Sequence, residues 1–78
     1  MSSEMEARIV GEFSKHFESF TYHRATGVFR GTKEDTLIVH IAKVDLGVLK
    51  KVVSDLREEF RQEGIGIETD GEYIRIID

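Results

Sequence analysis

Three histidines, His16, His23 and His40, are the side chains of this 78-residue chain best suited to ligate a transition metal, and their spacing argues against it. His16 and His23 share a face only if one helix runs through both, and neither an HxxxH nor an HExxH pattern occurs. The chain has no cysteine, which removes thiolate ligands, disulfides and a cysteine nucleophile together. Ser14, Ser19 and Ser54 fall on helical patterns rather than on a sharp turn after a strand, so no activated hydroxyl is expected. Glu58 and Glu59 are adjacent, diverge around a helix and cannot converge on one substrate. The glycines form neither GxGxxG nor GxxxxGK[ST], so no phosphate-cradling loop is expected. No catalytic, metal or cofactor-binding residue is assigned, and a non-enzyme is expected.

Cations interleaved with aromatics offer a different chemistry. Arg24, Arg30, Lys33 and Lys43 lie close in sequence to Tyr22, His23 and Phe29, a mixture that can neutralise phosphates and stack bases. Residues 20–51 carry a net charge of +3, while residues 52–78 carry −5 and the whole chain −4. Nucleic-acid binding through these four cations is therefore the alternative reading, held back by the acidic total.

Such side chains need elements to position them. Residues 3–19 read as a first helix: Ser2 or Ser3 can cap it, Glu4 and Glu6 suit its first turn, and Met5, Ile9, Phe13, Phe17 and Phe20 form one apolar stripe. Residues 46–63 read as a second helix, with Asp45 as N-cap, Gly64 as C-cap, and Leu49, Val52, Val53, Leu56 and Phe60 as its buried stripe. The residues Ile9 to Phe17 align with Val52 to Phe60 in their apolar and polar order, and each stretch precedes two strand-like runs. An αββ unit used twice is the reading.

The first hairpin is expected to turn through residues 32–35, which sets Val28 opposite Val39 and Phe29 opposite Ile38. The second is expected to turn at Asp70-Gly71, a pair suited to the positive φ of a type I′ turn. That turn sets Ile67 opposite Ile74 and Ile65 opposite Ile76, with four isoleucines on one face. The other face receives Glu68 opposite Tyr73, and Gly66 opposite Arg75.

The segment from Leu49 to Ile77, a helix followed by a hairpin, resembles the recognition helix and wing of winged-helix proteins. A strand around Leu37 to Ile41 stands where that family has a helix, and Glu58, Glu59 and Glu63 would repel DNA from the exposed helix face. The resemblance is therefore not carried further.

The chain as a whole, residues 1–78, is expected to be a single α+β domain: a two-layer sandwich with a four-stranded antiparallel sheet and two helices on one face. Phe29, Ile38, Ala42, Tyr73 and Ile77 then remain on the other face, more large apolar surface than an open sheet face usually shows. A small protein-interaction module is expected, self-associating as a dimer or docking a protein partner through Phe29, Ile38, Tyr73 and Ile77. The polar, acidic start is unlike a targeting peptide, and the longest apolar run is Leu37-Ile38-Val39, so a cytoplasmic protein without membrane contact is expected.

Overall fold

The computed structural model describes residues 1–42, 45–61, 64–69 and 73–78. Ser2 accepts from the Met5 N–H at 3.1 Å and starts helix α1, Ser3–His16. Strands β1 (Thr21–Phe29) and β2 (Thr32–His40) follow, then helix α2 (Leu46–Phe60), β3 (Gly66–Thr69) and β4 (Tyr73–Ile77). Asp45 caps α2 by accepting from the N–H groups of Gly47 and Val48, at 2.9 and 3.2 Å. No helix among the described residues is long and apolar enough to cross a membrane.

The four strands form one antiparallel sheet in the order β1-β2-β4-β3. Exchanging the two αββ units maps this order onto itself, so the hairpins stand related by a pseudo-two-fold axis between β2 and β4. The helices obey the same relation: Ile9 and Phe13 are buried where Val52 and Leu56 are buried. Both helices cover one sheet face, over Leu37, Val39, Ile67, Ile74 and Ile76.

Helix α1 ends at His16, short of the expected residue 19. Phe17 is already extended, with φ −127° and ψ 129°. Leaving the helix lets the chain fold back so that the rings of Phe17 and Phe20 both close on Phe13, with centroids 6.0 and 5.9 Å away. The expected end of α2 at residue 63 lies outside the described residues. Beyond Phe60, Gly64 has φ +74°, and the bonds from Gly64 N–H to Arg61 C=O and from Ile65 N–H to Phe60 C=O make a Schellman closure.

Gly11 sits within α1 with nothing within 4 Å of where a Cβ would stand. Gly11→Ala is expected to raise stability by about 0.5–1 kcal/mol, measured by urea unfolding, because the site loses backbone entropy and gains no clash.

Both hairpin registers differ from expectation. The first hairpin turns at Arg30-Gly31, with φ of 51° and 79°, the two positive values of a type I′ turn. Phe29 therefore pairs with Thr32, Tyr22 with Val39, and His23 with Ile38. Residues 32–35, expected as loop, are strand. They are polar because β4 meets β2 only at Thr36 to His40. The outer part of the hairpin projects as an arm on which both faces meet water. The Met1 ammonium donates to the Asp35 carboxylate at the base of this arm, which raises the amine's pKa and lowers that of Asp35.

In the second hairpin Ile67 pairs with Ile76, Glu68 with Arg75, and Gly66 with Ile77. The expected partners were Ile74, Tyr73 and Arg75. The Asp70-Gly71 turn itself lies outside the described residues. The slip is an even number of residues, so every side chain keeps its face, and Ile65, Ile67, Ile74 and Ile76 are all buried together.

Candidate functional site

The open face of the sheet is built by alternation. Along β2 it receives Thr32, Glu34, Thr36, Ile38 and His40. Along β1 it receives Thr21, His23, Ala25, Gly27 and Phe29, and along β4 Tyr73, Arg75 and Ile77. No helix of the described residues covers these positions.

Ile38 lies at the centre, flanked by His23 on β1 and Arg75 on β4. Tyr73 is 41% exposed and leans on His40, ring centroids 4.9 Å apart. Ile77 pairs with Thr36 and is half-buried. Phe29, 60% exposed, sits on the arm rather than beside Ile38, yet on the same face. Of the four expected interaction residues, Phe29, Ile38 and Ile77 line one hollow of about 280 Å³ together with Ala25, Gly27, Thr36 and Arg75. Tyr73 and Ile38 line a second, of about 370 Å³, with His23 and Arg75. The two hollows meet at Ile38 and Arg75 and make one trough across the sheet. A larger hollow of about 480 Å³ lies between the end of α1 and the start of α2. Its walls mix His16, Glu18, Ser19 and Asp45 with Phe17, Ile41, Ala42 and Val48.

Two features of the trough depend on register. Gly27 pairs with Glu34 and lies diagonal to the buried Thr36, and a Cβ at Gly27 would stand 3.2 Å from the Thr36 Oγ1. Glycine therefore keeps the trough open at that point. Arg75 and Glu68 are cross-strand partners with Nη2 and Oε2 3.2 Å apart, an ion pair that reaches from the β3 edge to the middle of the trough beside Ile38.

The four cations of the alternative reading are not gathered. Arg24 is on the helix-covered side and its Nε donates to Glu6 at 3.0 Å. Arg30 lies over the Phe29 ring, 5.2 Å from its centroid, at the arm's tip. Lys33 pairs with Val28 on the arm, on the same side as Arg24. Lys43 lies outside the described residues.

The histidines are dispersed too. His16 ends α1, while His23 and His40 share the open face. Among the described residues no three His, Asp or Glu side chains stand where they could hold one metal ion. The Ser14 hydroxyl donates back to the Val10 carbonyl at 2.7 Å, and Glu59 accepts from Arg8 at 3.2 Å. Chemically this surface is a mixed strip, with the apolar Ile38, Phe29, Tyr73 and Ile77 set among His23, Thr36 and Arg75. Comparison with known protein families, with curated proteins and with solved structures finds no match for the chain.

Proposed function

We propose that this protein is a small, non-enzymatic interaction module that docks a protein partner on its open sheet face. The observation that carries the reading is the trough centred on Ile38 and Arg75, with Phe29, Tyr73 and Ile77 along it. One face of the sheet is already layered by helices, and an apolar opposite face is the natural seat for a third layer. The partner is an amphipathic helix whose apolar stripe fills the trough, as in helix-in-groove recognition. A chain without cysteine suits a reducing compartment, and we place its action in the cytoplasm.

A displayed library of amphipathic helical peptides tests this. Enriched peptides should bind the wild-type chain and lose about 100-fold or more in affinity to Ile38→Asp and Tyr73→Asp, since an unpaired charge at a desolvated centre costs several kcal/mol. Lys51→Glu, on the solvated side of α2, should bind as wild type. Helical circular dichroism should be unchanged in all three, because neither Ile38 nor Tyr73 faces the helices. Peptides that bind both face variants like wild type would contradict the reading.

The nucleic-acid alternative rests on one feature, the cationic and aromatic arm tip of Phe29, Arg30 and Lys33. Oligonucleotide binding that weakens steeply with salt, and disappears in Arg30→Ser with Lys33→Ser, would favour it over the peptide partner.

A further inference from the structure

We propose that two copies of this chain join edge to edge through β1, in one antiparallel register centred on Ala25. This inference is independent of the docking face and rests on the sheet's margins.

The two edges of the sheet are unequal. β3 is four residues long, and Arg57 on α2 donates from Nε and Nη2 to the Ile67 carbonyl, at 3.2 and 3.1 Å, so a side chain already occupies part of that margin. β1 is nine residues long, contains no proline and is exposed along most of its length. Among the described residues, no group outside β2 hydrogen-bonds to its backbone. A long, uncovered edge without proline is a template for another strand.

The turn determines which backbone groups are free. In a two-residue hairpin the flanking residues, Phe29 and Thr32, form a hydrogen-bonded pair. Alternation then turns the N–H and C=O of Thr21, His23, Ala25, Gly27 and Phe29 toward β2. Those of Tyr22, Arg24, Thr26 and Val28 point outward.

A two-fold antiparallel pairing that engages these outward groups and overlaps the whole strand has one solution, with Ala25 facing its own copy. Arg24 then faces Thr26 of the second copy, and Tyr22 faces Val28, each pair exchanging two backbone bonds. Tyr22 and Val28, 39% and 68% exposed in the single chain, cover one another twice. On the other face Phe29 lies against Thr21, and His23 covers the flat strip left by Gly27. No charged residue meets a like charge directly, and each Arg24 keeps its own Glu6. A register centred on Arg24 would set two guanidinium groups opposite one another. The result is a continuous eight-stranded sheet with helices on one side and two troughs side by side on the other.

Light scattering over a concentration series reads the assembly. The wild-type chain should approach twice the single-chain mass by high micromolar concentration. Thr26→Pro removes an outward N–H and leaves the bonds to β2, and Val28→Lys places a charge against Tyr22; both should return the mass to one chain with helical signal retained. Ile38→Asp should lose peptide binding and remain a dimer, which separates this claim from the docking face. Because the chain has no cysteine, Ala25→Cys gives a register-specific reading. Facing residues of a non-hydrogen-bonded pair lie close enough for a disulfide, so Ala25→Cys should cross-link on oxidation while His23→Cys and Gly27→Cys alone should not. A wild-type chain that stays single at high micromolar concentration would overturn the proposal. So would a dimer that survives Thr26→Pro and Val28→Lys without an Ala25→Cys cross-link.

Discussion

Phe60→Ala is expected to lower the stability of the chain by about 3–5 kcal/mol. Phe60 is fully buried at the end of α2, and the Arg8 guanidinium of α1 lies over its ring, 4.8 Å from the centroid. Removing the ring strips core contacts from α2 and leaves a cavity at a residue whose backbone is held by the Schellman closure, since the Phe60 carbonyl accepts from the Ile65 N–H. Phe13→Ala should cost as much, because Phe13 is equally buried and anchors both Phe17 and Phe20. Domains of this size lie toward the low end of the usual ~5–15 kcal/mol, so either variant should keep only a small part of its stability. Phe17→Ala, at a half-buried position, should lose clearly less. Urea unfolding followed by circular dichroism orders the three, and a cost below about 1 kcal/mol for Phe60→Ala would contradict the packing described.

Ile74→Ala and Ile76→Ala are expected to cost about 2–5 kcal/mol each, more than Ile67→Ala, whose strand lies at the edge. Their exposures order them the same way: 2% and 0% on β4 against 6% for Ile67. A double-mutant cycle reads the pairing itself. Ile67 and Ile76 are direct partners, so their cycle should show the larger coupling, about 0.5 kcal/mol or more. A larger coupling between Ile67 and Ile74 would favour the register that the Asp70-Gly71 turn suggests on its own.

That contrast shows where sequence reasoning reaches and where it stops. Element types follow from local chemistry: Ser2 and Asp45 cap, apolar stripes repeat at helical spacing, and Gly64 takes the positive φ a helix end demands. Faces follow from alternation, which is why the four isoleucines share the helix-covered face, and Phe29, Ile38, Tyr73 and Ile77 the open one, although both registers slip. Register does not follow from alternation, since an even slip leaves every face unchanged. Residues 32–35 look like a loop because nothing covers the arm and polar residues suit both of its faces. Arg30-Gly31 makes a type I′ turn without the asparagine or aspartate that usually announces one. The trough is a consequence of β2 pairing with β4, a contact between distant segments, so Gly27 and Thr36 have no local signal; alternation alone puts Arg75 and Glu68 on this face, and only their direct pairing needs the register.

Amide chemical-shift mapping of the chain with a selected peptide shows where a partner docks. The largest changes should fall on His23, Ala25, Ile38, Tyr73, Arg75 and Ile77, with Lys51 and Asp55 on the outer side of α2 unmoved. Changes concentrated on α2, or on the arm tip alone at Arg30 and Lys33, would contradict docking on the open sheet face.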